Sequence, residues 1–97
     1  MKATETLATA RDLVAGDRAE AYGDCLETHR RIAAQWTQTL TLAGMMPAKP
    51  IDAHTVAWLL SDLKKVRAYS GPFRADNYTD GAAYVALAGE VRQRSEG

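Results

Sequence analysis

Asp52-Ala53-His54-Thr55-Val56-Ala57-Trp58-Leu59-Leu60-Ser61-Asp62-Leu63-Lys64-Lys65-Val66-Arg67-Ala68-Tyr69-Ser70-Gly71-Pro72 is the stretch that decides the fold. Val56, Leu59, Leu60, Leu63 and Val66 recur at the spacing of one helical face, not with the alternation of a strand. Asp52 suits an N-cap, because its carboxylate can accept from the unpaired amides of a first turn. Gly71-Pro72 cannot continue a helix. The spacing therefore predicts a helix over 53–69.

The same reading extends in both directions. Downstream, Ala83, Tyr84, Leu87 and Val91 predict a helix over 77–94, with Asp76 as its cap and a charged tail from Arg92 that frays. Upstream, Cys25, Ile32, Ala33, Trp36 and Leu40 predict a helix over 25–43. Asp24 caps it, and Glu27 stands where a capping box needs a second acceptor. Gly44 to Pro50 breaks that helix. Leu7, Ala10 and Val14 predict a shorter helix over 4–15, stopped by Gly16. Residues 16–24 between the first two helices read as a polar loop. No strand, repeat or low-complexity tract appears. The expectation is one all-α domain over 1–97: three long helices plus a short N-terminal one in a compact bundle.

Composition narrows the classes of function. The chain has 97 residues, with 12 Lys+Arg balanced by 12 Asp+Glu. Zero formal charge argues against nucleic acid as a partner. No apolar run is long enough to span a bilayer, and the N-terminus lacks an apolar signal core, so a cytoplasmic location is expected. The one cysteine, Cys25, has no internal disulfide partner and reads as a small buried hydrophobe. A chain this short builds a thin core. Trp58 falls at the edge of its helical stripe, so homo-oligomerisation would bury leftover apolar surface.

Charged residues on apolar stripes carry the chemistry. At about 100° per residue, Arg67 falls among Val56, Leu60 and Leu63, with Lys64 beside Leu60. Asp80 falls within the stripe of the last helix, with Asp76 at its edge. An unpaired buried ion costs several kcal/mol, so Arg67 or Lys64 should meet Asp80 or Asp76 between two antiparallel helices. Such a cluster either fixes helix register or forms a polar pocket for an anionic or metal-bound ligand. His29 lies in the second helix's stripe, as a buried histidine or a ligand contact. In the 16–24 loop, Arg18 is a bidentate phosphate donor or a helix cap, and Tyr22 is an aromatic placed to stack on a ligand. That loop lacks the lysine and glycine spacing of a P-loop.

Gly16-Asp17-Arg18, Tyr22-Gly23, Ile32-Ala33 and Trp36 resemble the front half of a family of small phage and prophage proteins. Val56-Ala57, Leu63-Lys64, Arg67, Asp76-Asn77, Asp80 and Tyr84 resemble its back half. The likeness runs from about residue 5 to 90. That family in turn is similar to the MazG-like all-α nucleotide pyrophosphohydrolases, which hold Mg²⁺ with carboxylates from two helices. Asp76 and Asp80 resemble one carboxylate pair of those enzymes. Where they carry a Glu-x-x-Glu pair on the preceding helix, this chain has Asp62, then Lys64 and Arg67.

The inward set Lys64, Arg67, Asp76 and Asp80, read beside this resemblance, leads to the expectation of a nucleotide or related phosphate ligand. Lys64, Arg67 and Arg18 would contact phosphates, Asp76 and Asp80 would hold Mg²⁺ or orient the arginine, Tyr22 or Tyr84 would contact the base or sugar, and His29 would complete the ligand site. If catalytic, the chain would hydrolyse a nucleoside triphosphate to monophosphate and pyrophosphate. The alternative is a non-enzymatic phage protein that blocks a host protein or sequesters a signalling nucleotide.

Overall fold

The computed structural model describes residues 1–16 and 24–96. They form four helices and no strand: α1 (Ala3–Ala15), α2 (Cys25–Leu42), α3 (Ala53–Tyr69) and α4 (Ala75–Glu96). They pack as a compact all-α bundle, as the apolar periodicity predicts. No helix among the described residues is long and apolar enough to cross a membrane. The expected 16–24 loop, with Arg18 and Tyr22, lies outside the described residues except at its ends.

Local chemistry explains each helix boundary. Asp52 accepts from the Thr55 amide at 2.7 Å and opens α3. Asp24 accepts from the Leu26 amide at 3.2 Å and opens α2. Glu27 does not close the expected capping box; its carboxylate lies 3.3 Å from Arg31 one turn along. At the far end of α2, the Gly44 amide donates to Thr41 and the Met45 amide donates to Leu40. Those paired bonds are a Schellman closure, which needs a left-handed residue, and Gly44 supplies φ 76°. The following segment folds back because the Ile51 amide donates to Thr37 Oγ1 at 2.9 Å.

α4 departs from its expected limits at both ends. It starts at Ala75, so Asp76 is not the cap but sits in the first turn, where its charge suits the helix dipole. It runs to Glu96 instead of fraying after Val91. Arg94 is bonded to Asp24 of α2, and Arg92 reaches Glu96 at 2.7 Å. A cross-link to another helix keeps those last turns wound.

The core is built from small side chains. Ala33, Ala53, Ala57, Ala83 and Ala88 are buried, and the largest fully buried side chains are Val56 and Val91. α3 turns Ala53, Val56 and Ala57 inward, which leaves Leu59, Leu63 and Val66 exposed. The inward face is therefore rotated from the one that the larger apolar residues mark out. Trp58 is also exposed, its indole N–H donating to His54 Nε2 at 3.0 Å.

Candidate functional site

Two polar constellations stand out among the described residues. The first joins α3 to the start of α4. Lys64 Nζ lies 2.9 Å from Asp80 Oδ2 and 3.8 Å from Asp76 Oδ2. The lysine side chain is 12% exposed and that of Asp80 is 22% exposed, so this pair is largely buried, while Asp76 stays exposed at the edge. The expected cation–carboxylate meeting thus forms through Lys64. Arg67 does not take part: it is exposed, with no carboxylate of the described residues in ion-pair range. It shares the angular sector of the buried Val56 but stands in the last turn of α3. The Asp76–Asp80 pair is matched to the Lys64 ammonium. No group of three or more potential metal-ligating side chains forms among the described residues.

The second constellation is an open cavity of about 560 Å³ between the helices. Leu13 and Val14 of α1, Ile32 of α2, Leu60 of α3 and Ala83 and Leu87 of α4 make its walls apolar. His29 and Tyr84 also line it, so the cavity brings together two of the expected ligand residues. His29 is 6% exposed. Its Nδ1 lies 2.7 Å from the Cys25 carbonyl one turn earlier. A carbonyl only accepts, so Nδ1 carries the proton in that bond. In the neutral ring Nε2 is then a bare acceptor, sealed from solvent and without a hydrogen-bond partner among the described residues.

Four further groups at the cavity were not singled out as site residues by sequence reasoning: Asp24, Cys25, Glu90 and Arg94. Arg94 grips Asp24 with two N–H groups, one at 2.8 Å. The bonded guanidinium holds the Asp24 carboxyl below the usual carboxylate range, and the carboxylate in turn raises the guanidinium's pKa. The Cys25 thiol donates to Glu90 Oε2 at 2.8 Å. Burial, helped by that carboxylate, pushes the thiol up to about 11, so Cys25 is a proton donor here and not a nucleophile. The continued three-and-four spacing of Leu87, Val91 and Arg94 could have put Arg94 on the inward side of its helix, though it names no partner.

Chemically, the cavity can take a small, mostly apolar or aromatic-ring ligand, and its volume lies within the range of small-molecule sites. The fold and the cavity together define a small all-α protein with a ligand-sized cleft between its helices. Residues 5–92 match the family described as a domain of unknown function, DUF6378, and the chain belongs to that family. Comparison with curated proteins and with solved structures gives no match.

Proposed function

We propose that this protein binds a nucleotide or a related phosphate-bearing ligand, with the ligand's ring seated in the inter-helical cavity. One observation carries the reading: an open cleft of about 560 Å³ with mostly apolar walls and one cation, Arg94, among the described residues that line it. In this reading Tyr84 and Leu87 flank the ring. Arg94, the one cation among the described residues lining the cleft, meets the phosphate. The Lys64–Asp80 pair keeps α3 and α4 in register behind the site. The likeness to MazG-like enzymes and to phage proteins supports a nucleotide over other ring ligands.

The test is a panel of nucleosides and mono- to triphosphates, with and without Mg²⁺, read by thermal shift and by pyrophosphate release. Binding of a nucleotide, weakened in His29→Leu, is the expected result. Pyrophosphate release would add the enzymatic version. No stabilisation by any member of the panel would overturn the proposal.

A second reading rests on the exposed Leu59, Leu63 and Val66 of α3. They form one unpartnered apolar face, as an interaction protein that blocks another protein would need. Under that reading, Leu63→Asp abolishes a complex while leaving ligand-induced stabilisation unchanged.

A further inference from the structure

We infer that the outer face of α3 is the seam of a homodimer, in which α3 packs antiparallel on α3 of a second copy. The inference does not depend on the ligand-binding reading. α3 packs on α2 and α4 and buries Ala53, Val56 and Ala57. Its opposite side carries Trp58, Leu59, Leu63, Val66 and Tyr69, all exposed. At about 100° and 1.5 Å per residue, these five share one sector of roughly 140° and run about 16 Å along the helix. Their open fractions lie between 40% and 89%. That leaves several hundred Å² per copy, so two copies together exceed the roughly 1,000 Å² that a specific interface needs. Trp58 can be covered at no polar cost, because its indole N–H already donates to His54 of the same helix.

Charge selects a second copy as the occupant. The sector holds one charged residue, Asp62, and Lys65 stands at its edge, 3.4 Å from Asp62. An antiparallel two-fold with its axis beside Leu63 sets the Trp58 flank of each helix against the same flank of its copy. Asp62 then lies opposite Lys65 of the second copy, and Lys65 opposite its Asp62. The same axis puts Trp58 opposite Tyr69 of the second copy, Leu59 near its Val66, and Leu63 against its own counterpart. One operation therefore pairs every large apolar residue of the face and closes both charges reciprocally, as an isologous contact requires. A parallel pairing would instead set Asp62 beside Asp62 of the second copy, two like charges in one seam.

Sedimentation equilibrium of the full chain tests this. The expected result is a dimer at micromolar concentration, and a monomer throughout that range overturns the inference. Asp62→Lys and Lys65→Asp each make the seam's charges all alike, so each should weaken self-association by about tenfold. Mixed together, the two variants should pair with each other and recover the dimer. Both side chains are exposed, so circular dichroism should show the helices intact in each variant. Self-association unchanged by either exchange, or no recovery on mixing, overturns the antiparallel seam. A dimer that survives Leu63→Asp overturns it too. A chain that stays monomeric by itself and uses this face only for a different protein also overturns the inference.

Discussion

Lys64 on α3 and Asp80 on α4 meet across the helix pair at 2.9 Å, with both side chains mostly withdrawn from solvent. The contact comes one turn after α4 begins and one turn before α3 ends, so it pins the two helices at their shared end. A largely buried ion pair is costly to break and often inexpensive to replace as a whole.

Lys64→Ala or Asp80→Ala alone should cost about 2–4 kcal/mol, and the pair Lys64→Met with Asp80→Leu should cost much less than the sum. Urea denaturation of the three variants checks this as a double-mutant cycle. Arg67→Ala is the contrast. Exposed and outside the cluster, it should change stability by no more than about 0.5 kcal/mol.

Cys25 should be a slow thiol. With its pKa raised from 9.0 to about 11, the thiolate fraction at pH 8 falls about 100-fold against an ordinary cysteine. Iodoacetamide alkylation at pH 8 should be slower by a similar factor, and Glu90→Gln should recover part of the rate. Because the folded-state pKa is the higher one, the associated stability is present below pH 9 and is lost as pH climbs through 11.

Asp24 and Asp52 behave in the opposite sense. Arg94 lowers the first and the Thr55 cap lowers the second. A depressed folded-state pKa contributes stability above the unfolded value of 3.8 and loses it as pH falls further. Acid titration followed by circular dichroism should therefore show a loss of helix below about pH 4 that is shallower in Asp24→Asn.

Gly44→Ala tests the closure of α2. A Cβ there would meet nothing within 4 Å, so the whole cost comes from holding alanine at φ 76°. That cost should be about 1–2 kcal/mol, read as a lower melting temperature.

Helix existence and type were legible from the sequence because caps and apolar spacing agree locally at each site. Asp52 and Gly44 act where their chemistry predicts. The orientation of α3 was less legible. Leu59, Leu63 and Val66 advertise one face, yet the bundle buries Ala53, Val56 and Ala57, because close helix approach favours small side chains. Lys64, in line with Ala53 and Ala57, falls on that buried face, whereas Arg67 in the last turn is exposed. Cys25–Glu90 and Asp24–Arg94 join residues 65 to 70 positions apart, a separation that no local spacing rule reaches. His29 was legible as an inward residue, but its orphaned nitrogen depends on which carbonyl claims the other one.

A core whose largest wholly enclosed side chains are two valines leaves little reserve in a fold worth about 5–15 kcal/mol in total. Mass action then gives a guest unusual leverage. At a hundredfold excess over its dissociation constant, an occupant that binds only the native chain adds about 2.7 kcal/mol. The amount of this protein surviving proteolysis in a cell would then rise and fall with the supply of its guest, so that abundance itself becomes a readout of occupancy.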